Sequence, residues 1–561
     1  MTDEAEAAFE RGETWHDLFE ESGDPASLGE AVRHYARAVD LADPPDPAYL
    51  NGLGFALRLS YLQSDDSAEL DRSIELLAAA ARTGSDAEVP ICLDNLARSL
   101  RLALFLLDRG FSSDRFVDGA RLAVELTEPG TDDAAERLVW LGAGLDHRWE
   151  HDGDTTNLDE ADAAFVAVER HDAATYANQL GVHHYFRHRA YGRPEDIELA
   201  VEHGRRAVAL DDDDPVRAAN LGRALVRLHH LRPDRRLLDE AIELLRAPLD
   251  LGNAHLDRFD AYGDVADLDA AVALLTEAAG ELPADLPNGQ AARNDLATAL
   301  EARFLRGRDP ADLSQARAAL TEAIEARASA MRYLYVDNLA NLEVDEFTMT
   351  GDPAWLDRAS AHYGEALDGL ADPLERRRVL TNSAGVYWYR WTATGRRTDL
   401  SRATSVFEAV VAQTPAGETG YVMRLNNLAV ALVADPDYPT PDRIRALFAE
   451  ATTPHGGDPL WAVRAAREWG RWAASRDDWA EAAMAYGRAQ DAMGELVGLQ
   501  RTRRHREHWL REVGGLPVEA AHASWKVGDA QTAVGRLDRG RGLLLSQALT
   551  GQGGGGDVRP R

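Results

Sequence analysis

The sequence predicts an all-α protein, a right-handed α-solenoid of about twelve helix-turn-helix repeats. Three observations carry that expectation. A phrase built on asparagine recurs along most of the chain, a Gly/Asp turn phrase alternates with it, and apolar residues between the two fall at helical spacing. At 561 residues the chain is longer than one compact core usually organises, and a stack of small units is one way to fold it.

The first phrase places an asparagine shortly before a small residue. It occurs as Asn51-Gly-Leu-Gly, Asn95-Leu-Ala, Asn178-Gln-Leu-Gly, Asn220-Leu-Gly, Asn294-Asp-Leu-Ala, Asn338-Leu-Ala, Asn382-Ser-Ala-Gly and Asn427-Leu-Ala. The small residue then stands at 54, 97, 181, 222, 297, 340, 385 and 429. Packing explains it, because Gly or Ala there lets the second helix of a unit approach the first closely. The second phrase is a turn, then Leu, then a helix start: Gly23-Asp24 with Leu28, Gly153-Asp154 with Leu158, Gly263-Asp264 with Leu268, Gly351-Asp352 with Leu356, and Gly395 with Leu400. Glycine tolerates positive φ, and the Asp side chain accepts bonds from the first free amides of the next helix. Each unit therefore reads as helix A, a turn and helix B.

Four segments follow from this grammar. Residues 1–435 form the repeat array, with a shortened unit near 238–268, where Leu238 and Leu268 are only 30 residues apart. That shortening predicts a change of pitch near residue 250. Pro436, Pro439 and Pro441 mark a second irregularity, and 436–497 are divergent, Trp-rich repeats. Residues 498–550 read as a helical connector or cap, and 551–561 as a Gly-rich, disordered tail.

Charge narrows the partners. The chain carries 61 basic and 95 acidic residues, a net −34, which repels phosphate backbones and anionic lipid over most of the surface. Nucleic acid and membranes are thus not expected as partners. The N-terminus is acidic and lacks the apolar segment of a secretory signal, so the expectation is a cytoplasmic protein. Cys92 is the only cysteine and Lys526 the only lysine, against sixty arginines, a bias that fits a GC-rich bacterial genome.

The A–B repeats, spaced more widely than the standard tetratricopeptide (TPR) repeat, resemble the TPR-like arrays of bacterial TPR–CHAT proteins, in which CHAT is a caspase-like protease domain. The closing stretch is similar to the connector that precedes that domain in actinobacterial members: Arg506-Glu-His-Trp-Leu-Arg-Glu, Gly528-Asp-Ala-Gln-Thr-Ala-Val, and Leu537-Asp-Arg-Gly-Arg-Gly-Leu-Leu-Leu-Ser-Gln-Ala-Leu549. The likeness covers essentially the whole chain to Leu549. It implies a protein-binding sensor that couples to a protease through Arg539, Arg541, Leu543 and Leu544. No residue here matches the family's Cys–His dyad, so the protease is a separate polypeptide, has been lost, or is missing by truncation.

The search for chemistry is negative. Lys526 follows Ala523-Ser524-Trp525 without a glycine-rich turn, which excludes a P-loop. Cys92 falls in an apolar packing register and reads as a core cysteine. His184 and His188 share a helix face, but no carboxylate or further His stands at matching spacing for zinc. Asp211-Asp-Asp-Asp lacks the glycine and distal glutamate of a calcium loop. No Gly-x-Ser-x-Gly or His-Glu-x-x-His motif occurs. No catalytic residue, metal or cofactor is expected.

What remains is recognition. In arrays of this kind helix A lines the concave face, so Asn220, Asn294, Asn338, Asn382 and Asn427 form a row of amides suited to the backbone of an extended peptide. The same residues could equally tie each helix to the next unit. Eight of the twelve Trp lie between Trp388 and Trp525, and Trp388 and Trp391 are candidate interface anchors or core fillers. The expected partners are a protein or peptide ligand in the groove and, through the resemblance, a caspase-like protease. The rival expectation is a scaffold for a signalling ATPase or a transcription factor.

Overall fold

The computed structural model describes residues 2–104, 106–107, 111–168, 174–326, 331–370, 372–418, 420–438, 440–453, 459–499 and 514–539. The chain divides into two compact units, Met1–Arg246 and Ala247–Arg561.

The first unit is a succession of six TPR-like helix pairs: α1 (Thr2–Ser22) with α2 (Pro25–Leu41), α3 (Pro47–Ser64) with α4 (Ser67–Thr83), α5 (Val89–Leu104) with α6 (Ser113–Glu125), α7 (Asp132–Asp152) with α8 (Thr155–Val168), α9 (Ala174–Tyr191) with α10 (Pro194–Leu210), and α11 (Pro215–Leu231) with α12 (Arg235–Leu244). The second unit continues with α13 (Pro248–Tyr262) and α14 (Val265–Glu281), α15 (Pro287–Gly307) and α16 (Pro310–Glu325), α17 (Arg332–Thr350) and α18 (Ala354–Asp368), α19 (Pro373–Thr394) and α20 (Arg397–Gln413), α21 (Tyr421–Val433) and α22 (Pro441–Ala451), and α23 (Pro459–Ser475) and α24 (Trp479–Leu499). It ends among the described residues with α25 (Leu516–Lys526) and a further helical stretch at 530–539. The asparagine phrase lies on α3, α5, α9, α11, α15, α17, α19 and α21, and the odd-numbered helices from α1 to α23 are the A helices.

Most A-to-B joints are a two-residue device. At these, helix A ends on a left-handed residue and the next residue is the N-cap of helix B. At α7–α8, Gly153 has φ 72° and donates to Trp149 O at 2.7 Å, then Asp154 accepts from Thr156 N at 3.0 Å. Asp65 (φ 58°) and Arg308 (φ 56°) hold the same conformation without glycine, each followed by a capping Asp. Arg on helix A then often reaches the buried Asp in the first turn of helix B. Arg187–Asp196, Arg258–Asp267 and Arg303–Asp312 are homologous pairs at 3.1, 2.6 and 2.6 Å, each nine residues apart.

Close approach of A and B explains the small residues. A Cβ on Gly54 would lie 2.7 Å from Leu77 Cγ, and one on Gly222 would lie 2.7 Å from Leu245 Cδ2. At α19 the sequence reading is one residue out of register. Ala384 is the fully buried packing residue, while a Cβ on Gly385 would meet nothing within 4 Å. Ser383-Ala384-Gly385 offers small residues in succession, and only the third dimension decides which one faces helix B.

In the second unit, Leu516, Ala520 and Ala523 of α25 share a core with Val463, Ala466, Ala482, Tyr486 and Ala489 of α23 and α24. Arg467 binds Glu519 in a two-pronged pair, both bonds at 2.9 Å. Residues 514–526 of the connector are thus part of the packed unit. Arg539 pairs with Asp491 at 2.5 Å, whereas Arg541, Leu543 and Leu544 lie outside the described residues. Among the described residues no helix is long and apolar enough to cross a membrane.

Candidate ligand site

Stacking A helices side by side brings their asparagines together. Asn95 donates to Asn51 at 3.0 Å, Asn220 to Asn178 at 3.1 Å and Asn338 to Asn294 at 2.8 Å, each bond joining successive repeats. Asn382 donates instead to Asn341, at 3.4 Å. Four of the five candidate asparagines are therefore tied into inter-repeat bonds, which employ part of each amide's donors and acceptors. The fifth, Asn427, faces a cavity.

That cavity has a volume of about 450 Å³ and is lined from α15, α17, α19 and α21, with α18 and α20 behind. Glu301, Asn341, Asp345, Asn382, Asn426 and Asn427 supply its polar groups, and Tyr363, Trp388, Tyr389, Phe407 and Met423 its apolar wall. Gly385 opens onto it, which accounts for the empty space around that glycine. Of the sequence candidates, Asn382, Asn427 and Trp388 are brought together here. Trp391 stands against Trp388, with ring centroids 4.9 Å apart and planes at 47°. Asn220, Asn294 and Asn338 do not line this cavity.

The acids were not foreseen. Glu301 and Asp345 are hydrogen-bonded to each other, and burial, reinforced by Asp345 and by Asp337 behind it, pushes the Glu301 carboxyl up to about 7. Burial also raises Asp345, with Arg308 and the bond from Glu301 opposing. Below about 7 Glu301 therefore keeps its proton, with Asp345 as its hydrogen-bond partner. Tyr363 donates to Asn341 Oδ1 at 2.7 Å, so that oxygen accepts from both Tyr363 and Asn382. Asn426 is 7% exposed, and its Oδ1 has no hydrogen-bond partner. A repeat signal pointed to the acids: Glu301 and Asp345 are 44 residues apart, the same offset as Asn294 and Asn338.

The first unit holds a cavity of about 310 Å³ with the same ingredients: Asn51 and Asn95, the rings of Phe9, Tyr35 and Phe55, and the acids Glu13 and Glu88. Cys92 lines it, but the residue is 2% exposed and burial raises its thiol, the reverse of an activated nucleophile. Histidine offers no free base at the most buried position. His183 Nδ1 lies 2.7 Å from Asp146 and Nε2 3.3 Å from Asp162, so both ring nitrogens face carboxylates. His184 stacks on His203 with centroids 5.5 Å apart, and His188 Nδ1 lies 2.8 Å from Arg193 O. Among the described residues no group of three side chains is placed to hold a metal ion.

No family model matches the chain, and no curated protein matches it in sequence. Solved structures do. Yeast Tom70 is 14% identical over 92% of this chain and 96% of its own, with a TM-score of 0.36. The human IFIT1 dimer with PPP-AAAA is 13% identical over 86% of this chain and 95% of its own, at 0.35. The apo form of the quorum sensor NprR from B. thuringiensis is 12% identical over 71% of this chain and 97% of its own, at 0.41.

Proposed function

We propose that the chain is a protein- or peptide-binding scaffold or sensor whose ligand docks on the face lined by the A helices, with an anchor in the cavity around Trp388. The observation that carries this reading is the cavity itself, which successive A helices build together and line with aromatic rings, amides and two carboxyls. The cavity volume falls in the ~300–1,000 Å³ range of sites that hold small ligands or side-chain anchors.

By the resemblance of its connector, the array acts on a caspase-like protease supplied by another chain, with 498–550 as the coupling segment. Coupling is best separated from folding by cutting after residue 539, because removing α25 would strip Leu516, Ala520 and Ala523 from a shared core.

The test is to pan a displayed random dodecapeptide library against the full chain and against Gly385→Trp, which fills the cavity from a position where nothing stands within 4 Å. Enriched peptides that bind the native chain and lose at least about tenfold in affinity on the variant support the reading. Peptides that bind both proteins equally would place recognition elsewhere and overturn it.

A further inference from the structure

The chemistry of the cavity is lopsided. Its charge is one-sided: Glu301 and Asp345 bring carboxyls, while the amides of Asn341, Asn382, Asn426 and Asn427 bring donors and acceptors alike. Among the described residues its lining holds two acids and no Arg, Lys or His. Trp388 and Tyr389 add aromatic surface, and aromatic faces attract cations. A ligand group that complements the two acids must bring positive charge and hydrogen-bond donors. Guanidinium fits that description best, and ammonium second.

Resting on the peptide-binding reading above, we infer that the cavity takes the cationic side chain of an arginine or lysine in the ligand, with the Glu301–Asp345 pair as its counter-charge and the rings of Trp388 and Tyr389 along its wall.

The pair makes that binding proton-linked. With Glu301 pushed up to about 7, its carboxyl is neutral below that pH and charged above it. The charged groups that bear on the pair are Asp337 of α17, which is salt-bridged to Arg378 of α19 at 2.6 Å, and Arg308 at the end of α15; Tyr363 of α18 stays neutral, its phenol raised far out of range by burial. A cation seated on the pair favours the doubly ionised form, so binding releases the Glu301 proton. The ionised fraction of Glu301 is about 0.09 at pH 6 and about 0.91 at pH 8, which gives an affinity about tenfold higher at pH 8.

The probes are synthetic copies of the enriched dodecapeptides, each with its arginine exchanged for citrulline or its lysine for norleucine. They are titrated calorimetrically against the full chain and against Glu301→Gln and Gly385→Trp at pH 6 and pH 8. Four results together are expected: a basic residue common to the enriched peptides, a loss of at least about tenfold on removing its charge at pH 8, a tenfold gain from pH 6 to pH 8 with the native chain, and a gain below about twofold with Glu301→Gln. Peptides that lose binding on Gly385→Trp but tolerate the uncharged exchange would refute the cation and leave the cavity as the docking site. A pH gain that survives in Glu301→Gln would refute the role of the pair. Peptides indifferent to Gly385→Trp would refute the docking reading itself, and the cationic anchor with it.

Discussion

The substitution Glu301→Gln isolates the cost of holding an acid in this cavity. Folding moves the Glu301 carboxyl from its ordinary 4.5 to about 7, a shift of 2.5 units. At about 1.4 kcal/mol per unit the ceiling on the effect is about 3 kcal/mol. The sign follows from proton binding. Between pH 4.5 and 7 the folded state holds the Glu301 proton and the unfolded chain does not, so stability falls as pH rises through that window and is level above it. Glutamine is always neutral and keeps an N–H to donate to Asp345. The variant should therefore match the native chain near pH 4.5 and exceed it by up to about 3 kcal/mol at pH 8. Urea unfolding followed by tryptophan fluorescence reads this as a midpoint difference of about 1 M at pH 8, taking a slope of about 3 kcal/mol per M. Other groups titrate in the same range but move both proteins alike, so the difference between the two curves is the quantity that counts. A difference that stays constant from pH 5 to pH 8 would show that Glu301 does not carry the cavity's proton.

Three further outcomes follow from the packing. Gly385→Ala should stabilise by about 0.5–1 kcal/mol, the helix preference of alanine over glycine, because a Cβ there meets nothing, whereas Gly54→Ala and Gly222→Ala should cost about 1–3 kcal/mol by overpacking on Leu77 and Leu245; urea midpoints of the three variants check the contrast. Asn338→Ala removes the 2.8 Å bond to Asn294 and should cost about 1 kcal/mol, and a double-mutant cycle with Asn294→Ala should return most of that as coupling energy. His183→Leu leaves the buried Asp146 without its partner and should cost about 3–5 kcal/mol. The pH course has a definite direction: the carboxylates hold the His183 ring above its ordinary 6.5, so its contribution is complete below that value and is lost as pH rises through the folded value. A native-minus-variant difference that grows with pH above 6.5 would contradict it.

The parts of this fold that sequence reveals are those decided within a few residues. Gly153-Asp154 specifies a left-handed stop and a cap whatever surrounds it, and the apolar stripe of α4 places Leu70, Ile74 and Leu77 inside by period alone. Features set by two helices at once were not legible. The register at Ser383-Ala384-Gly385 slipped because either small residue satisfies a local rule, and only the approach of α20 selects Ala384. The Arg-to-Asp bridges nine residues apart look like ordinary solvated charges until the two-residue joint folds one helix back on the other. Glu301 and Asp345 were hidden for the same reason, since a lone acid on a helix normally reads as an exposed face. Their shared offset of 44 residues placed them at one position of successive repeats, the position that Tyr389 takes in the next.

The energetic pattern along the A helices sets the cavity around Trp388 apart within the second unit. Where Asn338 meets Asn294, amides of neighbouring repeats satisfy each other. Where Gly54 and Gly222 stand, leucines fill the space a side chain would need. Between α15 and α21 Gly385 opens onto a cavity, and Glu301 and Asp345 bond to each other within it. The raised Glu301 carboxyl destabilises the empty protein, and a cation entering beside Trp388 relieves it. An acid pair held beside aromatic rings complements a cation, and that complementarity separates a binding cavity from an imperfect core.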